Sequence, residues 1–257
     1  MQRVTAKKGL GQHFLIDKNI ARKIVDSLLP GEFNTLIEIG PGTGVLTGSL
    51  LEKYPMNFLA IELDKESIEF LNHTFPDYTD KFIFGDFLKF PLSQFNVPIA
   101  IIGNFPYNIS SQIFFRTLEN RTSVNQIVCM IQKEVAERIA SKCGNKTYGI
   151  LSVLLQAYFK IEYLFTVNEK CFVPPPNVKS AVVRLTRNST KEIDCDPDLF
   201  FKVVKTTFNY RRKVISNSLK SSFANIPVNS ELLLKRPEQL NVEQFIELTK
   251  LVKKANS

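Results

Sequence analysis

The 257-residue chain lacks long hydrophobic runs. Its longest apolar stretches, such as Val97–Ile102, are far shorter than the roughly 20 residues that a helix needs to cross a bilayer. The first nine residues are polar and basic and no apolar signal segment follows them, so we expect a cytoplasmic protein that is not exported. The ordinary composition, with 44% hydrophobic and 23% charged residues, excludes disordered, collagen-like and coiled-coil proteins.

Cysteine and histidine are scarce, with four and two residues respectively. Cys129, Cys143, Cys171 and Cys195 are too far apart in sequence to form a local metal clamp. We therefore expect no metal site, and four free thiols.

Positive charge is abundant and unevenly distributed, with a formal net charge of +8. Residues 1–23 carry six basic and one acidic side chain, and residues 198–257 carry eleven and five. The remainder has sixteen basic and nineteen acidic residues. A mildly acidic body between basic ends indicates a polyanionic partner such as a nucleic acid, although a basic surface that only maintains solubility would have the same composition.

Short β-prone segments alternate with helical periods between residues 35 and 141. We predict strands at Thr35–Ile39, Phe58–Glu62, Lys81–Phe84, Ile99–Ile102 and Gln126–Ile131, and helices at Val45–Tyr54, Lys65–His73, Ser110–Leu118 and Lys133–Ser141. The alternation predicts an α/β fold, a parallel sheet with helices on both faces.

The end of the chain has a different pattern. The polar, turn-rich segment Asn188–Pro197 predicts a linker, and Asp198–Ser222 and Val242–Lys253 then have a helical period. We therefore expect one domain over residues 1–190 and a small helical domain over residues 195–257.

A glycine-rich turn, Glu38–Gly44, follows the first predicted strand. Its glycines permit a tight turn and close approach of a ligand, but their spacing differs from the dinucleotide pattern, and Glu38 suits a cationic ligand without phosphate. Glu62, at the end of the second strand, can accept both ribose hydroxyls, and Asp86, after the third, can accept from an adenine amino group. Together they indicate S-adenosylmethionine as the cofactor. The alternatives are a turn that serves packing, a surface acid at Glu62 and a helix N-cap at Asp86.

Asn104-Phe105-Pro106-Tyr107 follows the fourth predicted strand. The N6 lone pair of adenine is delocalised into the ring, and acceptors placed on its two hydrogens can favour a tetrahedral, nucleophilic nitrogen. The side-chain oxygen of Asn104 and the carbonyl of Phe105 or Pro106 can be those acceptors, and Tyr107 offers a flat face for a flipped base. Phe172 can stack on the other face. A plain turn at 104–107 and a core phenylalanine at 172 are the alternatives.

These segments occur in an order that resembles the bacterial small-subunit ribosomal RNA adenine dimethyltransferases of the KsgA type, from about Lys8 to Val252. The matching motifs are Gly11-Gln12-His13-Phe14-Leu15, Glu38–Gly44, Ile61-Glu62-Leu63-Asp64, Gly103-Asn104-Phe105-Pro106-Tyr107-Asn108-Ile109-Ser110, Phe172-Val173-Pro174, Ser180-Ala181-Val182-Val183-Arg184-Leu185 and Phe208-Asn209-Tyr210-Arg211-Arg212-Lys213. The sequence departs from the family at His13, where asparagine is common, and at Phe105, where leucine is usual.

The resemblance implies a Rossmann-like class I methyltransferase sheet and a small C-terminal α-helical domain. It also implies dimethylation of N6 on two adjacent adenosines near the 3′ end of small-subunit (16S) ribosomal RNA, with a role in small-subunit biogenesis on a pre-30S particle. By position, the cofactor contacts would be His13, Leu15, Gly40, Glu62, Asp86 and Asn104. Asn104, Tyr107 and Phe172 would hold the target base.

A basic face is predicted in the C-terminal region, where cations alternate with apolar residues in one helical period. The candidate RNA contacts are Lys205, Arg211, Arg212, Lys213 and Lys220. Consecutive residues of a helix diverge by about 100°, so residues 211–213 cannot all meet RNA, and an ordinary solvated face is the alternative.

Two other functions remain open. One is a large-subunit ribosomal RNA adenine N6-methyltransferase of the antibiotic-resistance type, which shares the core. The other is a non-catalytic assembly or transcription factor on the same fold, against which the intact residues 104–107 argue. We expect a monomer, because no long exposed apolar stripe is evident.

Overall fold

The computed structural model describes residues 4–31, 33–95 and 97–256. Arg3, which was counted in the basic N-terminal segment, lies outside the described residues. The chain divides into two compact units. The first consists of Met1–Ala136 and Glu162–Arg187, and the second of Glu137–Ile161 and Asn188–Ser257.

The described strands form two sheets. They are β1 (Phe14–Leu15), β2 (Thr35–Ile39), β3 (Phe58–Glu62), β4 (Phe82–Phe84), β5 (Ile99–Asn104), β6 (Val124–Gln132), β7 (Phe159–Val167), β8 (Phe172–Val173) and β9 (Ser180–Arg187). The large sheet has seven strands in the order β4-β3-β2-β5-β6-β9-β7, and β1 and β8 form a small antiparallel sheet.

The large sheet is parallel from β4 through β3, β2 and β5 to β6, and β9 then pairs antiparallel with β6. All five residues of β2 are buried, as expected for a central parallel strand covered on both faces. Ligands of such sheets bind beyond the carboxyl ends of the strands. The order therefore brings the ends of β2, β3, β4 and β5 side by side.

The described helices are α1 (Lys18–Asp26), α2 (Thr47–Lys53), α3 (Lys65–Thr74), α4 (Ser110–Glu119), α5 (Lys133–Ala140), α6 (Ile150–Gln156), α7 (Pro197–Asn209), α8 (Ile215–Leu219) and α9 (Val242–Asn256). Aspartates begin several of them: Asp17 accepts from main-chain N–H groups of α1, and Asp196 does the same for α7. None of the helices in the described ranges is long and apolar enough to span a membrane.

The predicted parallel sheet is confirmed, and the first two predicted strands coincide with β2 and β3. The fourth predicted strand was too short, because β5 continues through Gly103 to Asn104. A Cβ atom at Gly103 would lie 2.5 Å from the carbonyl oxygen of Ile39, so only glycine allows β5 to run this close to the end of β2. Asn104 is thereby placed on the strand itself.

Two expectations about the C-terminal half were wrong. Residues 137–161 belong to the second unit, because α6 packs against α7 and α9. Residues 210–214 interrupt the predicted helical region, so residues 211–213 lie in a turn between α7 and α8. The predicted linker, in contrast, has neither helix nor strand from residue 188 to residue 196.

Candidate active site

A cleft that is open to solvent, with about 830 Å³ of empty space, lies in the first unit at the ends of β2, β3, β4 and β5. This strand-end cleft is lined by Leu10, Gly11, Gln12, His13, Phe14, Ile39, Gly40, Gly42, Ile61, Glu62, Leu63, Gly85, Asp86, Phe87, Asn104, Phe105, Pro106, Tyr107, Asn108 and Ile109. Three of the four predicted strand-end residues, Glu62, Asp86 and Asn104, meet there.

The glycine turn and Glu62 are joined by hydrogen bonds. The main-chain N–H of Gly42 donates to Oε2 of Glu62 at 3.0 Å, and that of Asp64 donates to Oε1 at 2.9 Å. Gly42 has a φ of 56°, and a Cβ there would lie 2.8 Å from the ring of Phe14, so glycine is required. Burial raises the pKa of Glu62, although these main-chain bonds act to lower it. Each carboxylate oxygen keeps a lone pair that can accept from a ligand hydroxyl.

Glu38 is not part of the cleft surface, contrary to the interpretation that it faces a cationic ligand. Its side chain is 2% exposed, and Oε2 accepts a hydrogen bond of 2.8 Å from Thr47 at the start of α2. Burial raises the pKa of Glu38 to about 8. The side chain of Glu38 therefore lies in the core beside α2, and burial favours its neutral form.

Asp86 combines the two roles that were considered for it. Its Oδ1 accepts from the main-chain N–H of Leu88 at 3.0 Å, which is a capping contact, while its side chain also lines the cleft. Its Oδ2 lies 3.9 Å from Nζ of Lys89, a pair that is largely exposed on the lysine side.

Asn104 is held by the N-terminal arm, which we define as residues 7–15. Its Nδ2 donates to the main-chain carbonyl of His13 at 2.8 Å. Oδ1 is the opposite end of the same planar amide, and it accepts no hydrogen bond from the described part of the chain. The amide is therefore oriented with its acceptor available to a ligand.

Tyr107 and His13 form a stacked pair, with ring centroids 5.4 Å apart. His13 Nδ1 donates to the carbonyl of Pro174 at 2.8 Å, and the hydroxyl of Tyr107 hydrogen-bonds Ser180. Both rings line the strand-end cleft and also a second cavity. The second cavity is lined by Ala6, Lys8, Gly11, Gln12, His13, Tyr107, Gln132 and residues 174–178.

Leu15 and Phe172 line neither of these cavities, contrary to their expected roles. They face each other in the small sheet, and each is 2% exposed. Side chains alternate along a strand, so Phe14 reaches the cleft while Leu15 points into the core, and Val173 is exposed while Phe172 is buried.

The arm anchor, formed by Lys7, Gln12 and Asp64, was not predicted. Lys7 Nζ lies 2.6 Å from Asp64 Oδ1, and Gln12 Nε2 donates to Oδ2 at 3.2 Å. Burial acts to raise the pKa of Asp64, but the bonds from Lys7 and Gln12 outweigh it, so the pKa of this carboxyl lies below its usual value. Both Gln12 and Asp64 lie in motifs that the sequence indicates, but their pairing across 52 residues has no signal in one sequence.

The ionisable side chains that line the strand-end cleft are mainly acidic. Glu62 and Asp86 line it, and none of its lining residues within the described ranges is a lysine or arginine. Leu63 and Phe87, each directly after one of these acids, add apolar walls that were also missed. Among the described residues no group of three His, Cys, Asp or Glu side chains is placed to hold a metal ion.

The basic candidates of the second unit differ from one another in their contacts. Arg211 is half-buried, with Nε 3.8 Å from Glu238 and Nη2 donating to the carbonyl of Asn145 at 3.4 Å. Arg212 and Lys220 are exposed. Lys213 lies 4.9 Å from the ring centroid of Tyr210, and Lys205 lies 5.8 Å from that of Phe201.

The family profile described as ribosomal RNA adenine dimethylase matches residues 3–254. The chain belongs to the ribosomal RNA adenine dimethylase family. The ribosomal RNA small subunit methyltransferase A of Flavobacterium johnsoniae is 53% identical over 255 residues, which cover 98% of this chain and 97% of that protein. The expected class of enzyme, an S-adenosylmethionine-dependent ribosomal RNA methyltransferase, is thereby confirmed.

Two solved structures share the fold. A dimethyladenosine transferase from Plasmodium falciparum matches with a TM-score of 0.77 at 24% identity, over 95% of this chain and 98% of that one. The 23S rRNA methyltransferase ErmE matches with a TM-score of 0.67 at 23% identity, over 92% and 99%. The class I methyltransferase fold of this family member is therefore confirmed.

Proposed function

We propose that the protein dimethylates N6 of two adjacent adenosines near the 3′ end of small-subunit (16S) ribosomal RNA, with S-adenosylmethionine as the methyl donor. It acts in the cytoplasm as a monomer, on a pre-30S particle during small-subunit biogenesis. The choice of the small subunit is supported by the name of the relative that is 53% identical over nearly the whole chain.

The strand-end cleft fits the cofactor by its chemistry. Glu62 accepts hydrogen bonds from the ribose hydroxyls through the lone pairs that the N–H groups of Gly42 and Asp64 do not occupy. Asp86 accepts a hydrogen bond from the adenine amino group. Gly40 and His13 also line the cleft and contact the cofactor. A lining with two acids and, in its described part, no basic side chain favours a sulfonium nucleoside over a phosphate-bearing one. When bound, S-adenosylmethionine supplies an electrophilic methyl group on a good leaving group.

The single observation that carries the proposed reaction is the orientation of the Asn104 amide. Its Oδ1 is an available acceptor at the end of β5, beside Glu62 and Asp86 in the same cleft. The second acceptor is the carbonyl of Phe105 or that of Pro106, and the Pro106 carbonyl already accepts one hydrogen bond, from Ile109 N–H at 3.2 Å. The two oxygens accept hydrogen bonds from the two N–H groups of the adenine amine and favour a tetrahedral nitrogen.

The target base lies at the boundary between the strand-end cleft and the second cavity. Tyr107 faces both, so its ring can stack on a flipped adenine while Asn104 meets the amine. Because the side chain of Phe172, in β8 of the small sheet, is buried in the core, it supports the arm and does not cover the other face of the base. The basic residues of the second unit contact phosphates and supply affinity more than base selection.

The large-subunit alternative has one observation in its favour, the fold shared with the 23S rRNA methyltransferase ErmE. A test is methyl transfer from radiolabelled S-adenosylmethionine to immature small subunits and, separately, to large subunits, with the product identified by nucleoside mass. We expect N6,N6-dimethyladenosine in the small-subunit RNA. Label in the large-subunit RNA alone would support the alternative, and no transfer to either would indicate a non-catalytic factor.

A first variant tests Asn104 directly. We expect Asn104→Ala to lower methyl transfer by about 10²- to 10³-fold, the usual effect of removing one polar contact to the transition state, with RNA binding nearly unchanged. Asn19→Ala, on the exposed side of α1, is the matched control and should retain full activity. Turnover close to that of the unmodified protein in Asn104→Ala would contradict the assigned role.

A further inference from the structure

The arm is fixed at its first end by the buried carboxylate of Asp64. Lys7 Nζ lies 2.6 Å from Oδ1, Gln12 Nε2 donates to Oδ2 at 3.2 Å, and the main-chain N–H of Lys7 donates to Gln12 Oε1 at 2.8 Å. The side chain of Asp64 is 1% exposed, so this ion pair is shielded from water on the aspartate side. Lys7 and Gln12 are thus bonded to each other and to the same carboxylate.

The arm is fixed at its second end by the small sheet and by His13. Phe14 pairs with Val173, and His13 Nδ1 donates to the carbonyl of Pro174 at 2.8 Å. Between the two ends, Gly11 runs so close to Asn108 that an added Cβ would lie 2.5 Å from its Oδ1. The main chain of residues 11–13 is therefore held at a set distance from the end of β5.

The held segment presents one main-chain group to the reaction site, the carbonyl of His13, which accepts from Asn104 Nδ2 at 2.8 Å. A carboxamide is planar, with its donor nitrogen and its acceptor oxygen at opposite ends of the same group. Fixing Nδ2 therefore fixes Oδ1, and a side chain turned by half a rotation would present a donor to an amine that also donates.

We propose that the arm is a positioning element for methyl transfer: the arm anchor holds the carbonyl of His13 where it sets the Asn104 amide with Oδ1 toward the target amine. Lys7 and Asp64 are then positioning residues, since they act through the arm. The inference rests on the proposed function, because it needs Asn104 to accept from the target amine.

Lys7 gives the cleanest test of this role. It lines neither the strand-end cleft nor the second cavity, whereas Gln12 lines both. Asp64 also caps α3, so its replacement would weaken that helix directly. Lys7→Met removes the charge and keeps an unbranched side chain only one atom shorter, and Lys7→Arg restores the charge.

The experiment measures single-turnover methyl transfer at saturating S-adenosylmethionine, together with cofactor affinity by calorimetry and the melting temperature. We expect Lys7→Met to slow transfer between about tenfold and a hundredfold, as a small misplacement of a reacting group does. Cofactor affinity should change less than the rate, and Lys7→Arg should recover most of it. Lys53→Met, which removes another lysine–aspartate pair of the first unit, is the matched control and should behave as the unmodified protein.

Three results would overturn the proposal: an unchanged rate in Lys7→Met, a loss confined to cofactor affinity, or an equal loss in Lys53→Met. If Lys7→Met melts within the assay range, Lys7→Gln replaces it with the same outcomes. Unmodified protein that transfers no methyl group would contradict the proposed function, whereas full transfer by both it and Lys7→Met would contradict the positioning role alone.

Discussion

The position of Glu38 was predictable from the sequence, but the direction of its side chain was not. The sequence correctly places an acid at the end of the first strand, and its character suggested a charged ligand contact. The fold buries it against Thr47, where burial raises its pKa to about 8. Whether a strand residue faces a ligand or the core depends on how the strand is rotated, and one sequence does not determine that.

The raised pKa of Glu38 predicts a pH dependence of stability. The folded state favours the protonated form of Glu38, and this preference adds to the free energy of unfolding. The added stability is fully present below the ordinary pKa of about 4.5 and is lost as pH rises through about 8. In Glu38→Gln the loss should be absent, because the amide stays neutral. The free energy of unfolding in urea at pH 5, 7 and 9 measures the effect.

The matched control is Glu52→Gln, an exposed position on α2. It should follow the unmodified protein at all three pH values. Parallel curves for Glu38→Gln and the unmodified protein would show that Glu38 does not carry the dependence.

The resemblance to a family indicates which residues belong to the site, but not which way their side chains face. It placed Leu15 in the site and agreed with the residue chemistry in placing Phe172 there, yet both are core residues that pair across the small sheet. Glu62, Asp86 and Asn104, which also follow from the chemistry of a parallel sheet, do line the cleft. Residues that end a parallel strand are thus more predictable than residues within two-residue strands.

At the scale of elements, the parallel strands were predictable because each is a short apolar run that ends in a polar residue or a glycine. The strands β1, β7, β8 and β9 were missed. The strands β1 and β8 have two residues each, too few for any periodicity. Both strands beyond β6 in the large sheet, β9 and β7, therefore required the structure.

The end of α7 was missed for a different reason. Its buried stripe includes Val203, Val204 and Thr207, and an uninterrupted helix would bring Arg211 onto that same stripe. The break after Asn209 lets the guanidinium reach Glu238 and a main-chain carbonyl instead. Neither glycine nor proline marks the break, so local sequence gave no signal for it.

The turn between α7 and α8 predicts unequal roles for its arginines. Arg212→Ala should weaken RNA binding and flatten its dependence on log salt by about one unit, as the loss of one phosphate contact does. Arg211→Ala, which removes contacts within the second unit, should instead lower thermal stability with a smaller change in slope. Filter binding across a salt series, with melting curves of both variants, would measure this, and equal slopes for the two variants would contradict it.

At the scale of the whole molecule, all residues that line the strand-end cleft lie between residues 10 and 109 of the first unit. Saturation with S-adenosylmethionine, at about 100 times Kd, should stabilise the folded protein by about 2.7 kcal/mol. Protection from hydrogen exchange should be greatest at the glycine turn, at residues 62–64 and in the arm. ATP at the same concentration is the control, and a comparable shift with ATP would contradict the preference for a ligand without phosphate.

The second unit is discontinuous in sequence, since residues 137–161 belong to it and residues 162–187 return to the first. Helix α6, in the earlier segment, buries Leu151, Val153, Leu154 and Leu155 and packs against α7 and α9 from the later one. Exchange of the C-terminal seventy residues between relatives would therefore set foreign helices against a native α6. A chimera meant to transfer target preference has to carry both segments together, and recombination during evolution meets the same constraint.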